Sequence, residues 1–118
     1  MVESILDSVK QAIGGIEPED TTFDKDLIMF TNGALMIMTK LGVGPATGYS
    51  ITSSEDKWID FIGDRKDLEA VKTDVCLRVR LVFDPPQNSF LVDSINAQIK
   101  EYDWYISIDA VPIIVEEI

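Results

Sequence analysis

Catalytic chemistry in proteins rests on a short set of side chains, and this chain holds few of them. There is no histidine among its 118 residues. That removes Ser-His-Asp and Cys-His catalysis and every His-ligated metal site. The single cysteine, Cys76, sits among Val75, Leu77 and Val79. It reads as a small core residue, with no histidine beside it to activate a thiolate. One Cys also makes no internal disulfide and no Cys-rich zinc site. Asp60 and Asp64 lie four apart. On one helix face such a pair can bind Mg²⁺ or divide acid and base roles, which is the basis of a small-hydrolase reading. At this acid content the simpler account is a pair of solvated charges beside a turn. Gly42-Val43-Gly44-Pro45-Ala46-Thr47-Gly48 is glycine-rich. It lacks the Lys-Ser or Lys-Thr and the preceding strand that a phosphate loop needs, so it reads as a helix stop and a loop. No catalytic residue, cofactor or metal is expected.

Charge narrows the partners. Lys plus Arg is 10 and Asp plus Glu is 21, a net charge of −11. Affinity for nucleic acid comes from Lys and Arg releasing counterions, so phosphate binding is disfavoured, as is adhesion to an anionic membrane. Arg65, Lys66, Lys72, Arg78 and Arg80 fall in one stretch, interleaved with Asp64, Asp67, Glu69 and Asp74. Mutual neutralisation is expected there rather than a DNA contact. The apolar fraction of 46% is enough for a core in one domain. The first residues carry acids where a signal peptide carries bases. The most apolar stretch, Leu27 to Met38, is short and contains Thr31, Asn32 and Gly33, so no membrane span is expected.

The elements that position these residues read as helices. Val2, Ile5, Leu6, Val9 and Ile13 form the stripe of a short amphipathic helix, stopped by Gly14-Gly15. A second helix begins near Asp24, capped by Thr22 or Asp24, and ends at Leu41 with Gly42 at C′. Gly33 inside it predicts a tightly packed neighbour as compensation. Residues 42 to 54 form a loop. Ser53 and Asp56 have capping-box spacing for a short helix over Lys57 to Ile62. A third helix spans Lys66 to Phe83, with Leu68, Val71, Val75, Val79 and Val82 in line and a second half apolar nearly all round. Such a helix is expected to be central and buried. Asp74 and Arg78 have i,i+4 ion-pair spacing within it, and Asp84-Pro85-Pro86 ends it. A fourth helix spans Ser89 to Tyr105, capped by Asn88 or Ser89. After it the pattern alternates and clusters, with Pro112 inside, which predicts an extended apolar tail.

The expected architecture is therefore all-α: a small bundle of three long and two short helices over residues 1 to 105, with an extended C-terminal tail over 106 to 118. Apolar residues beyond the needs of the core are candidates for contact with a partner or another copy. They are Val43 and Tyr49 in the loop, Trp104, Tyr105, Ile106 and Ile108 around the end of the last helix, and Ile113, Ile114 and Val115 in the tail. Apolar tails of this kind cover their own core or fill a partner's groove.

The order of motifs resembles the head–tail connector (adaptor) proteins of long-tailed bacteriophages and prophages, also called DNA-packaging connector proteins. The resemblance runs through Phe23-Asp24-Lys25-Asp26-Leu27-Ile28-Met29 and Leu41-Gly42-Val43-Gly44-Pro45. It continues through Trp58-Ile59-Asp60-Phe61-Ile62-Gly63-Asp64-Arg65 and Asp67-Leu68-Glu69-Ala70-Val71-Lys72. It ends with Leu81-Val82-Phe83-Asp84-Pro85-Pro86 and Ser89-Phe90. Each stretch alone is weak; their order and gaps are specific, and together they cover roughly residues 1 to 105. The segment after Tyr105 departs from the pattern. The resemblance implies a structural, non-enzymatic virion protein of the neck. It implies a homo-oligomeric ring of about twelve subunits below the portal. Its partners would be the portal, its own copies and the next neck or tail-completion protein, with DNA passing through the channel without specific binding. It would occupy the host cytoplasm during assembly. At −11 per chain, ring closure is expected to depend on salt. The alternative is an acidic intracellular interaction module, a DNA mimic or anti-regulator that occupies a basic site.

Overall fold

The computed structural model describes residues 3–110. Its elements are α1 (Ile5–Ile13), α2 (Asp24–Lys40), α3 (Trp58–Ile62), a 3-10 turn (Lys66–Leu68), α4 (Ala70–Phe83) and α5 (Ser89–Asp109). The fold is all-α, with α2, α4 and α5 long and α1 and α3 short. Helix α4 is central and packs against α1, α2 and α5. The core joins Ile5, Leu6 and Val9 of α1, Leu27, Leu35 and Met38 of α2, and Val71, Val75 and Val79 of α4.

Polar bonds stitch the chain entry to α3. Ser4 caps α1 by accepting from Asp7 N at 3.2 Å. Ile5 N donates to Asp56 O, and Trp58 N donates to Glu3 O, both at 3.0 Å. The indole of Trp58 donates to Ser8 Oγ at 2.9 Å. Lys10 is 1% exposed. Its ammonium pairs with Asp24 at 2.7 Å and donates to the carbonyls of Pro18 and Asp20. One buried cation thus gathers the loop between α1 and α2, satisfying carbonyls that a loop cannot pair internally.

Helix α2 ends in a Schellman motif. Gly42 N donates to Thr39 O and Val43 N to Met38 O, both at 3.0 Å, with Gly42 at φ +101°. In that motif the residue after the glycine packs back on the helix. Val43 accordingly lies in the core.

Several expectations are corrected. Neither Thr22 nor Asp24 caps α2: Phe23 occupies the N-cap without a side-chain bond. Asp56 does not cap the short helix. Its Oδ2 turns back to accept from Thr52 N at 2.7 Å and Ser53 N at 3.2 Å, closing the loop. The cap falls one helical turn later, at Lys57 in place of Ser53, where Asp60 Oδ2 accepts from Lys57 N at 3.3 Å. The third helix opens with a separate 3-10 turn, and its second half is not buried all round: Val82 is 60% exposed. The reason is that α2 and α5 flank α4 without closing over its last turns. Gly33 has no tight neighbour, since a Cβ placed there meets nothing within 4 Å. The last helix continues past Tyr105 to Asp109, so residues 106 to 109 are helical rather than extended. Ile106, on the same side as Ile95 and Ile99, is pulled into the core, and that burial carries the helix through the boundary expected at 105.

Candidate partner-binding surfaces

Helix α5 presents two faces. Successive residues turn by about 100°, so Ile95, Ile99 and Ile106 share the inward side, while Phe90, Trp104 and Ile108 fall on the opposite one. The inward three are buried. The outward side is polar along its middle, at Asp93, Lys100 and Glu101, and apolar toward its C-terminal end. Trp104 is 61% exposed, and Tyr105 and Ile108 are each 50% exposed. The two rings pack edge to face with centroids 5.1 Å apart. A preformed aromatic pair of this kind loses little side-chain freedom on binding, and exposed Trp and Tyr are typical anchors of protein interfaces.

A second apolar surface lies between α2, α4 and α5. It is an open groove of ≈ 490 Å³ lined by residues including Met29, Gly33, Met36, Leu81, Val82 and Ile99. Met29 and Met36 are largely exposed. Flexible thioethers lining an apolar groove suit contact with another apolar segment.

The other contact candidates divide. Val43 and Ile106 are spent in the chain's own core. Tyr49 is half-buried, its ring 5.3 Å from that of Phe61. Burial, with Asp56 and Asp60 nearby, raises its phenol above the ordinary range. Ile113, Ile114 and Val115 lie outside the described residues. Sequence reasoning missed the groove, although Met29 and Met36 carried its signal: apolar residues off the core stripe of their helix.

The chemistry-bearing residues have structural employment. Asp60 caps α3, as described. Burial, with Glu3 nearby, pushes the Cys76 thiol up to about 12, which favours the protonated thiol over the thiolate that nucleophilic chemistry uses. Among the described residues no group of three or more His, Cys, Asp or Glu is placed to hold a metal ion. Among the described residues, three of the five bases between Arg65 and Arg80 are paired with acids of the chain. Arg65 pairs with Asp67 and donates to Asp109 O at 2.6 Å. Lys72 pairs with Glu3 at 3.1 Å and Glu69 at 3.7 Å. Arg78 pairs with Asp74 at 2.6 Å and also with Asp103 of α5. No helix among the described residues is long and apolar enough to cross a membrane.

Among the described residues, this small helical domain leaves two apolar surfaces exposed. The phage connector protein family model matches residues 5–111, which is nearly the whole chain. The chain belongs to that family, and its role is that of a phage head–tail connector. Comparison with curated proteins and with solved structures yields no match.

Proposed function

We propose that the chain is a subunit of a homo-oligomeric ring in the virion neck, below the portal. There it extends the DNA channel and joins head to tail as a structural element without enzymatic activity. The observation that supports this best, beside the family, is that one chain carries two different apolar surfaces. One is the aromatic face of α5 and the other is the groove between α2, α4 and α5. Two unlike surfaces on one subunit suit a head-to-tail contact, and such contacts close into rings, of about twelve copies in the reading adopted here. Trp104, Tyr105 and Ile108, with Ile113, Ile114 and Val115 beyond the described residues, are the contact residues in this proposal; Tyr49 lies at the rim of the loop. The portal and the next neck or tail-completion protein take the two ends of the ring. A charge of −11 per chain suits a conduit that must let phosphates pass without holding them. The acidic-decoy reading has no support in the family to which the chain belongs.

Electron microscopy of particles made with an early stop codon in the gene tests the reading. Filled or leaking heads beside separate, complete tails are expected. Normal infectious particles would overturn it.

A further inference from the structure

We propose that Asp74 of α4 and Asp103 of α5 share one proton, and that this proton is a pH-sensitive latch holding α5 against α4. Asp74 is 0% exposed. One guanidinium, that of Arg78, donates to both carboxylates, to Asp74 Oδ1 at 2.6 Å and to Asp103 Oδ2. That leaves Asp74 Oδ2 and Asp103 Oδ1, both sealed from solvent and both without a hydrogen-bond partner. Two acceptors held side by side by a shared cation have nothing to donate between them unless one is protonated. A single proton on Asp74 satisfies both orphan oxygens with one O–H···O bond. It also settles the charge. Two carboxylates and one guanidinium leave a net −1 in a cluster whose centre, Asp74, is buried, and one proton brings that to zero, which is what burial favours.

The charged groups acting on Asp74 are Arg78 from its own helix and Asp103 from α5; α1 and α2, which also pack on α4, bring none into its reach. Burial pushes the Asp74 carboxyl up to about 7, the bond to Asp103 adds to the rise, and Arg78 opposes it. For Asp103 burial acts upward as well, but its bonds to Asp74 and Arg78 outweigh this and leave it below the ordinary range. The pair therefore ionises in two steps that belong to both residues, with the proton resting on Asp74. The sign follows from linkage. Between the unfolded value near 4 and the folded value near 7, the native state binds more protons than the unfolded chain, so stability falls as pH rises through that window. Above it, the buried charge of Asp74 faces the half-buried charge of Asp103 across the α4–α5 contact, and α5 is loosened at the residue directly before Trp104.

The absence of histidine makes the latch readable in the upper part of this window, above about pH 5.5, where ordinary carboxylates have already ionised. The test is carbon-13 NMR of aspartate carboxyls in the full chain, followed by melting curves against pH for the wild type and for Asp74→Asn. The amide keeps the shape, accepts from Arg78 and donates to Asp103 without a proton to lose. The expected result is an Asp74 resonance with its midpoint near pH 7. The wild-type Tm should fall between about pH 5 and about pH 8, and D74N should have a flat profile and the higher Tm at the alkaline end. An Asp74 carboxyl that ionises in the ordinary range near about 4 would overturn the proposal. So would a D74N variant that keeps the wild-type slope.

Discussion

Two regions of this molecule are built from similar apolar residues and end differently. At one end, α1, α3 and the loop after α2 are sewn together. Asn32 of α2 accepts from Ile51 N at 2.7 Å and donates to Ile51 O at 3.1 Å. Asp56 closes the loop on itself, and Lys10 gathers the chain before α2. At the other, α2, α4 and α5 flank a groove that none of the described residues spans. The difference lies in what each region is made of. Where loops cross a core, backbone N–H and C=O groups must be paired, and side chains reach in to pair them. Where helices meet, their backbones are already satisfied, and an incomplete apolar contact leaves no unpaired polar group. A groove of that kind persists until another apolar surface covers it.

The comparison is broken most severely at Gly44. Its φ is +76°, and a Cβ there would meet the Phe61 ring at 2.6 Å. Gly44→Ala is expected to cost about 2–4 kcal/mol in urea unfolding, from left-handed strain and overpacking together. Asn32→Ala should cost about 1–3 kcal/mol, because both backbone groups of Ile51 lose their partner. Its loop amides should also exchange faster with solvent, while those of α4 and α5 do not. On the groove side the sign reverses. Gly33 has ordinary helical backbone and open space around it, so Gly33→Ala should stabilise the isolated chain by about 0.5–1 kcal/mol. A destabilised variant would mean that the groove is closer-packed than described. The smallest effect on stability, within about 0.5 kcal/mol, is expected for Trp104→Ala. Its effect should appear instead in native mass measurements on assembled connectors, as loss of the ring.

The elements were legible from spacing because they follow from local rules. The stripe Ile5, Leu6 and Val9 and the line Val71, Val75 and Val79 face the core as their periods require. Gly42 was legible as a helix stop. Its consequence for Val43 was not, since the residue after that glycine is drawn inward by the motif itself. The Asp74–Arg78 pair was visible at its i,i+4 spacing, but its third member, Asp103, lies on another helix. Lys10 offered no signal, because a lysine on an apolar stripe is ordinarily solvated and only the fold brings Asp24 and two carbonyls to it. The end of α5 was misread for a related reason. The alternation after Tyr105 suits an extended chain locally, and the pull of Ile106 into a distant core outweighs that preference.

By itself, the order of residues determined the helical class, the approximate positions of the helices, the lack of histidine chemistry, the negative charge and, through its motifs, the connector family. These depend on periodicity, composition and local capping, which act over a few residues. Tertiary structure decided which apolar residues remain outside, which acids pair and which must share a proton. Those outcomes depend on which helix lies beside which, and burial is a property of neighbours that are distant along the chain.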